Sequence, residues 1–165
     1  MPTPQLSEMG RRSRACSRNA RLAWDNKVVP LNVALLREVE TAILETPLQF
    51  TMWAWRRGDV FPGAHDKVSG RACIASWSVV LCDRIKLSTL TTTRIALRAR
   101  RILGLRPRQA QPLFYLEAWP EKFRHEYILK PRDYSDCVQN SRVAAARIEA
   151  FIEGRLKEES GKHSL

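Results

Sequence analysis

The stretch SGRACIASWSVVLC, residues 69–82, is the most informative part of this sequence for its fold. In a helix, its small side chains would lie on one side and its bulky ones on the other, and from residue 72 to residue 82 neither side would carry a charge. A helix that is apolar all round is a buried helix. The stretch therefore predicts a buried central helix over residues 70–83. A buried strand over 77–82 remains the alternative, because Val79 and Val80 are β-branched.

Cys73 and Cys82 are nine residues apart, a spacing that places them on opposite faces of a helix and also of a strand. They therefore cannot share a metal ion or form a disulfide with each other. Because cysteine packs as a small apolar residue, we interpret Cys73 as part of the core, with a nucleophilic thiol as the alternative. The chain contains no CxxC pair and no signal-peptide-like apolar segment at its N-terminus, so we expect free thiols and a cytoplasmic location.

No metal or cofactor site is predicted. The histidines, His65, His125 and His163, are far apart in the sequence, and a structural zinc site would need four scattered ligands to converge. His65-Asp66 is similar to the pair found in metal phosphohydrolases, but those enzymes need further histidines and carboxylates. GxSxG, glycine-rich phosphate-loop and dinucleotide-binding motifs are absent from the sequence. No apolar run exceeds four residues, as at 79–82, which is far too short to cross a membrane.

Apolar periodicity on both sides of the central stretch predicts the mainly α class. Residues 32–45 and 91–103 each have one apolar stripe. Thr91 or Thr92 can cap the second of these helices, and Gly104 can end it. We therefore expect a single small helical domain with short helices and loops around the buried helix at 70–83.

The C-terminal half continues this pattern. Pro107 and Pro120 are placed to open short helices, and Gly154 follows the stripe of the last helix. The predicted organisation is a disordered basic segment, a helical domain and a polar tail: residues 1–27, 28–154 and 155–165. One apolar cluster should hold the core together: Trp77, Leu81, Ile95, Ile102, Ile148 and Phe151.

Four stretches resemble, in order, a family of small uncharacterised proteins of bacteria, phages and plasmids: PLQFTMWAW, VSGRACIASWS, LGLRPRQAQPLFYLEAWP and AARIEAFIEG. The corresponding family patterns read PxxFDMxxW, CGTxxCIAGWA, LGLTPEQAxxLFxxxxWP and AARIxxFI. This chain has Val68 at the first cysteine, Ser76 at the glycine before the tryptophan, and Arg106 in place of the threonine. The family has no established activity, so the resemblance implies a shared fold and no function.

Positive charge is concentrated inside the predicted domain. The chain has 28 Lys and Arg against 17 Asp and Glu, a formal net charge of +11, and residues 84–116 contain eight basic residues and no acidic one. Three of these arginines have helical i, i+4, i+7 spacing. The candidate nucleic-acid-binding residues are Arg94, Arg98, Arg101, Arg106 and Arg108. Phosphate contact without base specificity is the expected mode, and a merely solvated face is the simpler interpretation.

Two further motifs suit nucleic acid but also have simpler explanations. WAWRRG, residues 53–58, could stack bases and hold phosphates, although we favour Trp53 and Trp55 covering the core. Residues 94–114 read as helix, glycine turn and helix, but the second helix is short for a helix-turn-helix.

The sequence therefore predicts a non-enzymatic binding or accessory protein of a bacterium or mobile element. Its expected partner is another protein or the backbone of a nucleic acid, and we do not expect it to bind a membrane. The alternative is a small enzyme with a pocket near Cys73 and Trp77. Exposure of Cys73 and a contiguous arginine surface are the features that would separate these two functions.

Overall fold

The computed structural model describes residues 29–62 and 70–161 and confirms a mainly α domain. Its helices are α1 Val33–Glu45, α2 Ile74–Asp83, α3 Thr92–Ile102, α4 Pro107–Phe114, α5 Glu121–Glu126 and α6 Tyr134–Gly161. Three single 3-10 turns lie between them: Pro47–Gln49, Leu87–Thr89 and Leu116–Ala118. Two short strands, β1 Arg56–Arg57 and β2 Arg71–Ala72, form an antiparallel pair with Arg56 opposite Ala72.

Helix α2 is the buried centre of the domain, as the sequence predicts. It contacts α1, α3 and α4, and every side chain from Ile74 to Val80 is buried. The strand alternative for 77–82 is wrong, because these residues are helical; only Arg71 and Ala72 of the predicted helix form a strand instead. Cys73 caps α2, and the Ser78 hydroxyl donates to the Ile74 carbonyl at 2.9 Å.

The predicted apolar cluster is confirmed. Trp77, Ile95, Ile102, Ile148 and Phe151 are buried in one core, and Leu81 is partly buried against it. The cluster joins α2 and α3, which are consecutive helices, to α6, which follows much later in the sequence. Burial of apolar side chains contributes roughly 1.5–3 kcal/mol each, so this core is the main source of the domain's stability.

The start of α1 is anchored to the end of α3. The Asn32 side-chain oxygen accepts a hydrogen bond from the Leu35 N–H at 3.1 Å, and its amide group donates to the Ile102 carbonyl at 3.2 Å. The Asn32 N–H donates to the Leu103 carbonyl at 3.1 Å. Gly104 makes this approach possible, because it has a φ of +70° and a Cβ there would lie 2.3 Å from the Pro30 carbonyl oxygen.

Helix α6 is longer than the sequence predicts. Gly154 does not end it; the helix continues to Gly161, so much of the expected polar tail is helical. A Cβ at Gly154 would meet no atom within 4 Å, which shows that the residue is in an open helical position. One glycine costs a helix about 1 kcal/mol, and the good helix formers on both sides offset that cost.

A buried arginine on α6 fixes the end of α4. The Arg147 Nε donates to the Pro112 carbonyl at 3.1 Å, and its guanidinium lies between the rings of Phe123 and Phe151 at 5.9 and 5.5 Å. Burial lowers the pKa of Arg147. Arg147 thereby satisfies the carbonyl of Pro112, one of the last four of α4, which have no partner within the helix.

The cysteines differ from the expectation of four free thiols. Cys73 and Cys137 are free and buried, whereas Cys82 is disulfide-bonded. The expectation is therefore wrong at Cys82, and the cysteines no longer support a reducing compartment. Within the part of the chain that the structure describes, no helix is both long and apolar enough to span a bilayer. The predictions for residues 1–27, for His65-Asp66 and for Val68 lie outside the described residues.

Candidate functional site

An open groove between α3 and α4, with a volume of about 360 Å³, is the strongest candidate site. That volume lies at the lower end of the range of small-molecule sites, roughly 300–1,000 Å³. Its wall is largely aromatic and aliphatic, with Trp55, Leu97, Phe114 and Tyr115. Leu97 and Tyr115 are 39% and 43% exposed. Neighbouring exposed apolar side chains in a groove are typical of binding surfaces.

Trp55 is held in the groove by the buried helix that the sequence singled out. The hydroxyl of Ser76 on α2 donates to the Trp55 carbonyl, and the Cys73 N–H donates to the same oxygen at 3.4 Å. The Trp55 ring meets Tyr115 edge-to-face at 5.4 Å and Phe114 at 6.3 Å between centroids. Ser76 therefore contributes to placing an aromatic side chain at the surface.

The polar lining of the groove is neutral or positive. Thr92 and Thr93 contribute hydroxyls, Gln111 an amide and Arg100 a guanidinium. None of the described residues that line the groove is acidic. The groove therefore combines aromatic surface, hydrogen-bonding groups and one positive charge, which suits an anionic ligand with flat apolar parts.

Three of the predicted arginines, called the rim arginines below, lie in the same helix turns as residues of the groove but do not line it. Arg94 lies in the first turn of α3, Arg106 caps α4, and Arg108 is the second residue of α4; all three are exposed. Neither first turn contains an acidic residue. Positive charge at a helix N-terminus opposes the helix dipole and costs stability. An anion at the same place would be favoured by both the arginines and the dipole.

The other two predicted arginines are already engaged or partly buried. Arg98 makes a bidentate ion pair with Asp83 at the end of α2, with N–O distances of 2.7 and 2.8 Å. Hydrogen bonding to that carboxylate raises the pKa of Arg98. Arg101 is partly buried. The row of three arginines along α3 therefore contains one that joins α2 to α3, a role that the sequence did not predict.

Cys73 and Trp77 offer no accessible chemistry in this structure. Cys73 is 2% and Trp77 0% exposed. Burial raises the pKa of the Cys73 thiol, which disfavours the reactive thiolate. Neither residue lines the α3–α4 groove, so this groove is not the pocket near Cys73 and Trp77 that the enzyme alternative requires. In the described residues, no group of three or more His, Cys, Asp or Glu side chains could hold a metal ion.

A second groove, of about 590 Å³, lies beside the start of α6 and differs in charge. Trp53, Lys130 and Arg132 line it together with Asp133 and Asp136. The two carboxylates organise the backbone: Asp133 accepts the Asp136 N–H at 3.0 Å, and Asp136 accepts the Arg132 N–H at 2.7 Å. Mixed charge makes this groove less suited than the first to a polyanion.

The two tryptophans of WAWRRG have separate environments, so the expectation that both cover the core is only partly right. Trp55 packs against the core from the groove, whereas Trp53 is 57% exposed. Helices α3 and α4 do form a helical pair, joined by residues 103–106 with Gly104 in the turn. The sequence analysis missed the groove itself, although the i, i+4, i+7 spacing of Thr93, Leu97 and Arg100 could have indicated it.

In comparisons with known proteins, no protein-family model, curated protein or solved structure matches the chain.

Proposed function

We propose that this protein is a non-enzymatic binding protein that holds nucleic acid through phosphate contacts at the first turns of α3 and α4. The observation that carries the proposal is the placement of Arg94, Arg106 and Arg108. All three are exposed at the positive ends of helix dipoles, where arginine destabilises a free helix. Residues that lower stability at a surface commonly serve a ligand. Phosphate is an anion, so the arginines and the positive ends of the helix dipoles both attract it.

The expected mode of binding is weak, sequence-tolerant and steeply dependent on salt. Arginine and helix N-termini contact phosphates, which carry no sequence information. Each phosphate that a cation neutralises releases counterions and adds roughly 0.7–0.9 to the log–log salt slope. The net charge of +11 supports the same long-range attraction. The resemblance to bacterial, phage and plasmid proteins would then describe an accessory protein of a bacterium or mobile element.

The test is a fluorescence anisotropy titration of labelled DNA and RNA, single-stranded and duplex, from about 50 to 200 mM salt. We expect dissociation constants in the micromolar range or weaker at physiological salt. Replacing Arg94, Arg106 and Arg108 together by glutamine should reduce the salt slope by about 2–3, because three phosphate contacts are lost.

A matched variant separates a local site from overall charge. Lys122, Arg124 and Arg142 are exposed on α5 and α6, and replacing them by glutamine removes the same three charges elsewhere. The proposal requires this control to keep most of the salt slope. No binding by the natural protein, or equal weakening in both triple variants, would reject it and leave a protein partner as the default.

A further inference from the structure

We infer that the groove between α3 and α4 is a base-stacking site for single-stranded nucleic acid, with Tyr115 and Trp55 as the stacking surface. The inference rests on the proposed function and specifies the form of nucleic acid that is bound. Proteins that bind single strands without sequence preference combine a basic groove with aromatic side chains on which bases stack. The α3–α4 groove has both features and no acidic residue in its described lining.

The groove and the rim arginines share the first turns of α3 and α4. Thr92 and Thr93, which line the groove, are in the first turn of α3 that carries Arg94. Pro107, which also lines it, lies between Arg106 and Arg108. A strand whose phosphates contact the rim can therefore place a base in the groove without leaving the basic surface.

The two ends of the groove differ in a way that suits one nucleotide unit. Arg100 and Pro107 lie next to the short connection between α3 and α4, so this end of the groove is positive. Trp55 and Tyr115 are in edge-to-face contact at 5.4 Å and form the aromatic part. A base on Tyr115 with its phosphate near Arg100 would match this separation of aromatic and charged groups.

A single strand fits the groove better than a duplex does. The bases of a duplex are paired and stacked on one another, so their faces cannot reach Tyr115 unless the duplex opens. The hydroxyls of Thr92 and Thr93 can bond to any base edge, and Gln111 is a single side chain that could read at most one adenine. We therefore expect a preference for single strands with little preference among bases.

The experiment compares a single strand, the corresponding duplex and an abasic strand of the same length, each titrated with the natural protein and with Tyr115→Leu. Stacking is worth 1–3 kcal/mol per base by alanine substitution, which corresponds to a loss of about 5- to 150-fold in affinity. Tyr115→Leu should weaken single-strand binding in this range and leave duplex binding and the salt slope unchanged.

Tyr134→Leu is the matched control, because Tyr134 is also an exposed tyrosine but starts α6 outside the groove; it should change neither affinity. The abasic strand keeps the test valid if Tyr115→Leu fails to fold: the natural protein should bind it at least about 5-fold more weakly than the single strand that carries bases.

The outcomes separate this inference from the proposed function. If single strand, duplex and abasic strand bind equally, and the Arg94, Arg106 and Arg108 variant still weakens all three, the groove inference is wrong and phosphate binding stands. A clear preference for duplex would also overturn it, in favour of a helix-turn-helix use of α3 and α4. Absence of all binding would reject both.

Discussion

Replacing Gly104 by alanine tests how the N-terminal end of the domain is attached. Gly104 has a φ of +70°, and an alanine in the left-handed region costs about 1–2 kcal/mol. Its new Cβ would lie 2.3 Å from the Pro30 carbonyl oxygen and 3.0 Å from the Pro30 carbonyl carbon. Because these are backbone atoms of a separate segment, the segment has to move.

The movement would break contacts that can be counted. Asn32, two residues after Pro30, donates hydrogen bonds to the Leu103 and Ile102 carbonyls. Each such hydrogen bond contributes about 1 kcal/mol net. Together with the backbone cost, we expect Gly104→Ala to lower the free energy of unfolding by roughly 2–4 kcal/mol. For a chain of this size that corresponds to a decrease in Tm of roughly 5–15 °C.

Gly154→Ala is the control with the opposite expected sign. Gly154 is exposed within α6, and a Cβ there would meet nothing within 4 Å. Alanine should therefore stabilise the protein by about 0.5–1 kcal/mol through helix propensity. Chemical denaturation of the two variants and the natural protein measures both effects. A loss below about 0.5 kcal/mol for Gly104→Ala, or the same sign for both variants, would refute the reasoning.

Three further predictions concern the core and α2. Trp77→Ala should cost roughly 3–5 kcal/mol of stability, and a loss below about 1 kcal/mol in denaturation would mean that α2 is not central. Cys73 should react with a thiol reagent only after unfolding, because it is buried and its pKa is raised; rapid labelling under native conditions, located by peptide mapping, would contradict this. A double-mutant cycle of Asp83→Asn and Arg98→Met should give a favourable coupling of only about 0.5–1 kcal/mol, since the Arg98 side chain is 42% exposed; a coupling of zero would show that the ion pair does not join α2 to α3 in solution.

Features that depend only on residues close by in the sequence were predictable from the sequence. The absence of charge between Arg71 and Asp83 was sufficient to predict a buried central helix, because a helix that is apolar all round is not stable facing water. Thr91 does cap α3, with its hydroxyl oxygen accepting the Arg94 N–H, and Pro107 does open α4. These signals are local: a cap and a proline act on the turn in which they lie. The end of α6 was not predictable from Gly154, because a single glycine lowers helix stability without forbidding the helix.

Only the tertiary structure decided which side chains are available at the surface. Arg98 has the same spacing pattern as Arg94, yet Asp83, fifteen residues earlier, engages it. Trp53 and Trp55 are two residues apart, yet one is exposed and the other packs beside Tyr115. The α3–α4 groove needs Trp55 to be brought to a wall formed some forty to sixty residues later. Periodicity assigns a residue to a face of its own element, whereas its partner on that face depends on how distant elements pack.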